Sequence, residues 1–593
     1  MADKLSKKQN VLGGAMVLVI ATALVKIIGA VYKIPVTGII GPLGRGFFAS
    51  AYNIYTPVYA ISMAGLPVAV STIVSRNAAL GKYRDVKQVM KITFPLFLAL
   101  GLLGTGALIL AAKPYVNSIG SPLAVFSVLA IAPSILFCCI MSTYRGYYEG
   151  LSNMYPTAIS QVIESVGKLV FGLIFSYMLL NYANEQIALN GAVFGYKVET
   201  EADGAIVYAL AAAGAIIGVT LGTVFGAIYT FLRHKLKKDG ITKEMLINSP
   251  LASPKKTTLK EIIAIAIPTA ASSLVLNITN FIDTFMIQSR LESVVAKHYD
   301  IIMGIYGESI NAAHIAKENI DTFLYGAYDT TLDFRNLVPT VMMTLGVSAI
   351  PVISAAVAKK DFKEVNSTVN TVFRTTMLIA LPAGAGFFAL SEPIMNLLYK
   401  GTEGESGIAI AAPVLGLYGL MMAILTLSSP LTNMLQAIGR ADVPAKALAL
   451  GCVFKIGLNY ILIGIPEINV KGAVFGTAFF YLLCIFYNYS VLRKETGVRI
   501  DIKTVLVKPL IGAVACGGAA YGSYAFLSSV LTFGDMNSRL NGQSLACLIS
   551  VGIAVGVYGI FVLLSKTLVK DDILMLPKGE ILAKILEKYK LLG

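Results

Sequence analysis

Long apolar runs are the feature of this sequence that most limits how the chain can fold. About 14 of them occur, each of roughly 20–28 residues, which is long enough to cross a ~30 Å hydrocarbon core as a helix. The 593 residues are 56% hydrophobic and only 14% charged, whereas a soluble domain carries about 25% charged residues. The sequence therefore predicts an all-α integral membrane protein with about 14 transmembrane helices.

The predicted spans set the framework in which every other residue is placed. The first of them is too long for the apolar part of a signal peptide and contains two lysines, so we expect no cleavable signal. The spans are 11–37, 47–75, 92–113, 121–144, 156–181, 206–232, 262–289, 336–358, 370–391, 407–437, 443–464, 469–492, 506–531 and 543–566.

The loops between the spans alternate in charge, and this alternation sets the orientation. Lys and Arg concentrate in the loops after even-numbered spans, and the loops after odd-numbered spans contain few of them. Because basic loops stay on the cytoplasmic side, both termini are predicted to be cytoplasmic. The same distribution explains the net charge of +15, so we do not infer a nucleic-acid partner from it. The basic loops are 76–91, 233–260, 359–363 and 493–503, and the others include 182–205 and 401–406.

Two stretches about half a chain apart repeat the same arrangement of residues. Residues 144–168 and 435–455 each run from a glycine through a proline to a lysine inside the next span. A second match joins the sequence YRDV at 83–86 to FKEV at 362–365. Such repeats build many transporters around one site, so we expect two pseudo-symmetric six-helix lobes plus two C-terminal helices. The matched residues are Gly150, Pro156 and Lys168 in the first half and Gly439, Pro444 and Lys455 in the second.

The spans, the repeat and the loops together divide the chain into five predicted parts, which are given at the end of this paragraph. The stretch 290–335 is too long for a turn and apolar in patches, which predicts a surface helix or a re-entrant segment on the external side. At the C-terminus, 577–593 alternates Ile or Leu with Lys at helical spacing, which favours an amphipathic surface helix over a disordered end. The parts are an N-lobe (1–232), a basic cytoplasmic linker (233–261), a C-lobe (262–492), spans 13 and 14 (493–570) and a cytoplasmic tail (571–593).

Two lysines in span 1 are the first candidate site residues. Lys26 and Lys33 are two helical turns apart, so they lie on the same face. A cation in the middle of a membrane costs about 2.5–3.5 kcal/mol on insertion scales, so Lys26 should face a wet cavity or a carboxylate. Lys33 lies nearer the external end, where it either faces the same cavity or extends to the headgroups.

Two spans carry deep carboxylates. Glu164 and Lys168 are four residues apart in span 5, and they either neutralise each other or leave Lys168 facing a cavity with its charge tuned by Glu164. Asp283 in span 7 would take a coupling cation or pair with a lysine of span 1. Both acidic residues are therefore candidates for ion pairing or coupling.

Further basic residues lie within or beside the spans. Deep positive charges outnumber deep negative ones, which favours an anionic substrate, and a pyrophosphate is the obvious one in a membrane. Other charged residues lie at cytoplasmic ends, where a gating role and a topological role are equally open. The substrate-binding candidates are Lys26, Lys33, Lys168, Arg335 and Lys455, and the gate or topology candidates are Arg76, Arg145 and Glu149.

Several classes of function are excluded by what the sequence lacks. The six cysteines have no CxxC spacing and the three histidines are scattered, so we expect neither a disulfide nor a metal site. The sequence has no nucleophile–base pattern and no nucleotide-binding motif, so we do not expect an enzyme. Without a cofactor, transport would draw on the membrane potential or on a gradient of H+ or Na+.

Four ordered motifs resemble a known family nearly end to end. They are RGYYEGLSNMYPTAISQVIE at 145–164, MAGLPVAVSTIVSR at 63–76, GVSAIPVISAAVAKKDFKEV at 346–365 and NMLQAIGRADVPAKALALGCVFKIGLNYILI at 433–463. They are similar to the polysaccharide-exporter branch of the multidrug/oligosaccharidyl-lipid/polysaccharide superfamily. YNIYTPVYAISMAGLPVAVS at 52–71 is similar to the stage V sporulation protein B-like group and the Gram-positive lipid II flippases.

The resemblance implies a two-lobed bacterial membrane transporter that alternates between inward-open and outward-open states. In lipid II flippases a cationic central cavity holds the pyrophosphate–sugar head group. Lys26 and Lys33 match two basic residues around a glycine in span 1 of the family, with Lys where Arg is usual. Arg335 matches a basic residue of span 8. The basic residue often found in span 2 has no counterpart between Phe47 and Ser75.

These observations favour a flippase for an undecaprenyl-pyrophosphate-linked cell-wall precursor, with lipid II as the first candidate. Its partners would be the lipid-linked oligosaccharide, membrane lipids and cell-wall synthesis proteins. A cation-coupled multidrug antiporter of the same superfamily is the alternative, although it predicts a cavity richer in carboxylates. A membrane scaffold for cell-wall or spore assembly, with no transport of its own, is a third hypothesis. The sequence leaves a vegetative and a sporulation role open.

Overall fold

The computed structural model describes residues 11–60, 66–198, 204–237, 239–440, 442–535, 538, 541–567 and 569. Within these residues the chain is almost entirely α-helical, as the apolar runs predict. The helices are α1 Val11–Ala60, α2 Leu66–Ala79, α3 Tyr83–Ser118, α4 Val125–Ile131, α5 Ser134–Gly150, α6 Tyr155–Asn190, α7 Ala205–Leu236, α8 Lys243–Ile247, α9 Lys255–Lys297, α10 Tyr299–Ala312, α11 Ile320–Ala358, α12 Phe362–Ala389, α13 Ser391–Tyr399, α14 Ile408–Ala437, α15 Asp442–Ile463, α16 Gly472–Thr496, α17 Lys508–Val530 and α18 Gly542–Leu564.

Eleven stretches of the described chain are helical, long and apolar enough to cross a membrane. They coincide with predicted spans 1, 3 to 6 and 9 to 14, so the all-helical membrane fold is confirmed. Of the three other predicted spans, 262–289 lies within α9 and 336–358 lies within α11, whereas 47–75 overlaps α1 and α2 and includes residues outside the described part of the chain.

The first predicted span and the start of the second belong to one kinked helix, rather than to two helices separated by a loop. α1 contains the first predicted span and continues into the second as far as Ala60, with a kink at Gly41, whose φ of 63° and ψ of −178° are not helical. Glycine adopts a positive φ without a steric penalty, and Pro42 directly after it suits the first turn of the new helical segment. The predicted loop at 38–46 is therefore a kink, and the second segment already begins at Pro42.

The contacts divide the chain into two compact units, which are described separately. Unit 1 comprises Met1–Glu292 and Asn311–Gly326, and unit 2 comprises Ser293–Ile310 and Ala327–Gly593. The predicted lobe boundaries at 232 and 262 stay predictions.

Glycines let α6 and α7 pack closely in unit 1. A Cβ atom added to Gly218 would lie 2.1 Å from the backbone nitrogen of Gly172, and one added to Gly167 would lie 2.8 Å from the Cα of Gly222. Small residues at a helix interface allow this close backbone approach inside a membrane. The pairs fix α6, which carries Glu164 and Lys168, against α7.

The start of α3 holds the basic linker of unit 1, predicted to be cytoplasmic, in place. Asp85 Oδ1 accepts a hydrogen bond from the Ser253 backbone N–H at 2.7 Å, and Gln88 Nε2 donates to the Ser253 carbonyl at 2.6 Å. One residue earlier, Arg84 Nε donates to the Leu246 carbonyl at 2.9 Å. The linker is therefore attached along its length to the helix that begins with the YRDV motif.

Unit 2 has a matching attachment at the start of α12, which begins with the FKEV motif. Asn366 Oδ1 accepts from the Arg499 N–H at 2.9 Å, and Asn370 Oδ1 accepts from the Asp501 N–H at 2.9 Å. Asn370 Nδ2 also donates to the Arg499 carbonyl at 3.0 Å. The two repeated motifs thus open helices that hold a basic loop in each unit, which gives the sequence repeat a structural reason.

Asp239 is a charged residue of the unit 1 linker that bonds to neighbouring helices. Its contacts make the free energy of unfolding depend on pH. Its carboxylate accepts hydrogen bonds from Lys87 and from the Tyr147 hydroxyl. Burial acts to raise the pKa of Asp239, but these hydrogen bonds outweigh it and the pKa lies below its ordinary value. Stability from this contact is therefore present above the unfolded pKa of about 3.9 and is lost as pH falls through the folded pKa.

We expect Asp239→Asn to lower the free energy of unfolding by about 1–3 kcal/mol at pH 7 because two hydrogen bonds to a charged group are weakened. The measurement is the thermal unfolding midpoint of wild type and variant in mild detergent between pH 7 and pH 3. The difference between the two proteins should shrink below about pH 4. A difference that stays constant across this range would contradict the assignment.

The loops contain further elements that the sequence located only in part. α10 lies within the stretch 290–335, where a helix or a re-entrant segment is predicted. The stretch 182–205, predicted to be an external loop, contains a two-stranded antiparallel hairpin, β1 Ala192–Val193 with β2 Tyr196–Lys197, which the hydropathy pattern does not show. The predicted amphipathic helix at 577–593 lies outside the described residues.

Candidate functional site

Lys168 on α6 is the centre of the candidate site in unit 1. Its Nζ atom donates a hydrogen bond to the Tyr52 hydroxyl at 3.0 Å. It also lies 4.8 Å from the ring centroid of Tyr32 and 5.1 Å from that of Tyr52, within the range of cation–π attraction. Two aromatic rings of α1 therefore hold an ammonium group inside an apolar helical bundle.

Tyr32 is itself held rigidly, which fixes the position of Lys168. Its ring is fully buried, and its hydroxyl donates to the Ala215 carbonyl of α7 at 3.0 Å. Gly172, one turn after Lys168 on α6, makes room for the ring, because a Cβ atom there would lie 2.7 Å from it. The lysine thus contacts a surface that packing has already ordered.

Two more cations of α1 belong to this part of unit 1. Lys33 and Arg45 both interact electrostatically with the Tyr52 hydroxyl. Arg45 is only 2% exposed, its Nη1 donates to Thr37 Oγ1 at 3.4 Å, and its guanidinium carbon lies 5.7 Å from the ring centroid of Phe48. We call Tyr32, Lys33, Arg45, Tyr52 and Lys168 the basic cluster of unit 1.

Arg145 and Glu164 form an ion pair beside the basic cluster. Arg145 Nη2 lies 3.2 Å from Glu164 Oε2, and Arg145 Nε donates to Ser160 Oγ at 2.8 Å. The arginine side chain is 3% exposed and the glutamate side chain 22%. Arg145 therefore joins α5 to α6 inside unit 1. Glu149, one turn further on α5, accepts from the Thr157 hydroxyl at 2.8 Å.

The two candidate cations of unit 2 also lie on aromatic rings. The guanidinium carbon of Arg335 is 5.4 Å from the ring centroid of Tyr418, whose hydroxyl shares a 2.9 Å hydrogen bond with that of Tyr328. Lys455 is 8% exposed, with its Nζ atom 5.6 Å from the ring centroid of Phe480. Lys168 and Lys455, which the sequence repeat pairs, thus have the same kind of surroundings in their own units.

Such surroundings suit an anionic ligand. Charges act strongly at low dielectric constant, and cations kept within a membrane bundle mark a pathway or a binding site. Among the described residues, no group of three or more His, Cys, Asp or Glu side chains is placed to hold a metal ion.

Comparison with known proteins identifies the family. The profile of the family described as polysaccharide biosynthesis protein matches residues 11–357, more than half of the chain. The chain belongs to this family. A second profile, described as lipid II flippase MurJ, matches residues 337–538.

Two relatives from Bacillus subtilis cover most of the chain. Lipid II flippase MurJ is 24% identical over 518 residues, which are 85% of this chain and 87% of the relative. Stage V sporulation protein B is 23% identical over 571 residues, which are 96% of this chain and 98% of the relative. The predicted membership of the polysaccharide-exporter branch, close to these two groups, is confirmed.

Solved structures agree on the fold. Lipid II flippase MurJ in an inward closed conformation matches with a TM-score of 0.59 at 15% identity, covering 92% of this chain and 98% of that one. An inward-facing multidrug resistance MATE family transporter of the MOP superfamily also gives 0.59, at 16% identity over 80% of this chain and 94% of that one. At such identities the likeness shows the helical transporter fold alone.

Three further predicted site residues remain to be placed. Lys26 is exposed on α1, and none of the described residues forms an ion pair with it. Arg76 pairs with Glu261 at a partly exposed site in unit 1. Asp283 belongs to α9, but its side chain is outside the described residues.

Sequence reasoning missed Arg45. The predicted second span began at Phe47, so a basic residue two positions earlier was assigned to a loop. The structure begins this helical segment at Pro42 and buries Arg45 beside Phe48. The signal that could have found it is the Gly41–Pro42 pair, which is typical of a kink followed by the first turn of a helix.

Proposed function

We propose that the protein is a flippase that moves an undecaprenyl-pyrophosphate-linked cell-wall precursor from the inner to the outer leaflet by alternating access. Lipid II is the first candidate for the precursor. The basic cluster of unit 1 binds the pyrophosphate, and the polyprenyl tail stays in lipid. The protein works in the bacterial cytoplasmic membrane with both termini in the cytoplasm.

The observation that carries this proposal is the ammonium group of Lys168, which is held on the rings of Tyr32 and Tyr52 inside the helical bundle of unit 1. This ammonium, with the buried guanidinium of Arg45 on α1, suits a ligand with several negative charges, because hydrogen bonds that involve a charged group are about twice as strong as neutral ones. A pyrophosphate has such charges. A multidrug antiporter for cationic drugs would instead need a site dominated by carboxylates.

The relatives support the same substrate class. Two of them are a lipid II flippase and a stage V sporulation protein, and the family is one of polysaccharide biosynthesis. The first of these names describes transport rather than catalysis. We propose that the membrane potential or a gradient of H+ or Na+ drives the cycle, with no bound cofactor.

Complementation tests the proposal directly. We would deplete the lipid II flippase of a bacterial host and express wild type, Lys33→Gln or Lys113→Gln. Wild type and Lys113→Gln, which changes an exposed lysine of α3, should restore growth. Lys33→Gln should restore it poorly because one cation of the cluster is lost. If the wild-type protein reaches the membrane but does not restore growth, lipid II is not its substrate.

A further inference from the structure

The start of α11 packs on α1 directly after the kink at Gly41. A Cβ atom added to Gly326 would collide with the Pro42 carbonyl oxygen, and one added to Gly46 would collide with the Thr322 carbonyl oxygen. Two backbones approach this closely only where the facing residues have no side chain. We call this part of unit 1, where the first turns of α11 lie against the segment of α1 that follows the kink, the α1–α11 contact.

Hydrogen bonds join two further helices of unit 1 to the α1–α11 contact. Asn53 Nδ2 donates to the Tyr325 hydroxyl at 2.9 Å, which links α1 to α11 directly. Gln288 Nε2 of α9 donates to Ser50 Oγ at 2.6 Å, and the Tyr115 hydroxyl of α3 donates to the Ser50 carbonyl at 3.0 Å. Four helices therefore meet at one place, and the predicted topology puts this place on the external side.

Asp321 is a carboxylic acid buried at this contact. It lies in the first turn of α11, before the predicted span 336–358, and it is only 4% exposed. A hydrogen bond reaches its Oδ2 atom from the hydroxyl of the adjacent Thr322 at 3.5 Å. A carboxyl group buried without a neighbouring cation favours its neutral, protonated form, because burial penalises the charge.

The charged side chain that acts on Asp321 is another carboxylate, Glu292 of α9. Glu292 lies at the exposed edge of the contact, where a Cβ atom added to Gly120 would be 2.6 Å from its Cδ atom. Burial raises the pKa of Asp321 to about 8, and the repulsion from Glu292 adds to this effect. Asp321 therefore carries a proton at neutral pH.

The cations on the surrounding elements do not compensate an ionised Asp321. Arg45 of α1 donates to Thr37 Oγ1 at 3.4 Å. Within the described part of the chain, neither Arg290 of α9 nor Lys317, just before α11, forms an ion pair with Asp321. The other titratable groups near the contact are Tyr115 of α3, Tyr325 of α11 and Glu318 just before it.

We propose that Asp321 is a proton-dependent latch, which keeps the start of α11 packed on α1 when it is protonated and releases it when it is ionised. Because the contact is predicted to be external, the pH outside the cell controls the latch. The latch holds the part of α1 that carries Arg45 and Tyr52, so its release loosens one wall of the basic cluster. This inference goes beyond the proposed function and does not depend on it.

The direction of the pH effect follows from the two states of Asp321. In the released state the carboxyl group is in water, where its ordinary pKa is about 3.9. The packed state binds the proton more tightly, so packing is most stable at low pH and weakens as pH rises from about 4 to about 8. Above about pH 8 both states have lost the proton, and the weakening levels off.

Hydrogen exchange of the backbone amides of 322–328 measures this release in the purified full chain. Asp321→Asn has the shape of the protonated acid and does not titrate, so dividing by its opened fraction removes the ordinary pH dependence of exchange. We expect the opened fraction of the wild type, relative to that of Asp321→Asn at the same pH, to rise about tenfold per pH unit between pH 6 and pH 8. A ratio that does not change with pH would overturn the inference.

Glu292→Gln provides a second test, which also decides the matter if Asp321→Asn does not fold. Without the repulsion from Glu292, the ionised Asp321 is tolerated better, so this variant should open as often as the wild type at pH 6 but less often above pH 8. Asp300→Asn, which removes an exposed carboxylate of α10, should follow the wild type at every pH. If Glu292→Gln follows it too, the assignment fails. Neither test involves lipid transport, so the latch and the proposed function can fail separately.

Discussion

Lys168→Gln is expected to reduce transport of the lipid-linked precursor by about 10- to 100-fold. The reason is that a hydrogen bond between an ammonium and a phosphate contributes about 1.5–3 kcal/mol, and each 1.4 kcal/mol corresponds to a factor of ten. The variant also loses the cation that lies 4.8 Å from the Tyr32 ring and 5.1 Å from the Tyr52 ring. The measurement is the initial rate of head-group translocation in vesicles that contain equal amounts of protein.

Two further variants make the Lys168 result specific. Lys168→Arg keeps the charge but replaces a compact ammonium with a planar fork, so it should retain an intermediate rate. Lys455→Gln removes the lysine that the sequence repeat pairs with Lys168, in the corresponding aromatic setting of unit 2. Its effect shows whether the binding role belongs to one unit or to both. If Lys168→Gln transports within about twofold of wild type, Lys168 does not bind the substrate.

The sequence predicted the architecture well because the bilayer imposes it. Every backbone polar group within the hydrocarbon must be paired internally, so long apolar runs become helices whatever their neighbours are. The repeat at 83–86 and 362–365 could also be found in the sequence, and in the structure both motifs open helices that hold a basic loop. Lys168 and Lys455 stood out as candidates because a lysine inside an apolar run is rare and costly.

The rest of the site depends on contacts that hydropathy does not encode. A charged residue near the end of a predicted span is usually assigned a role in membrane topology, and that role was left open for Arg145. The structure instead buries Arg145 against Ser160 and Glu164. The prediction allowed Glu164 to pair with Lys168 along its own helix, whereas the structure gives it a partner on α5. In the sequence, Tyr32 and Tyr52 do not differ from other aromatic residues of apolar spans. In the structure, α1 is kinked at Gly41 and both rings contact Lys168 of α6.

The Arg145–Glu164 pair leads to the second large prediction, which concerns stability. Removing one partner of a buried ion pair costs about 3–5 kcal/mol because the other charge remains without compensation. Arg145 is 3% exposed and Glu164 is 22% exposed, so the stranded charge is harder to solvate when the glutamate is removed. We therefore expect Glu164→Leu to lower the free energy of unfolding more than Arg145→Met does.

The double variant Arg145→Met/Glu164→Leu completes the test. With both charges replaced by apolar side chains, no buried charge is stranded, so it should be more stable than Glu164→Leu alone. The measurement is denaturant unfolding of the four proteins in the same detergent, with Ser160→Ala as a control for the second hydrogen bond of Arg145. If the two single variants cost the same and their costs add in the double variant, the pair is not coupled. Arg145 would then act through Ser160 alone, and the link between α5 and α6 would not depend on charge.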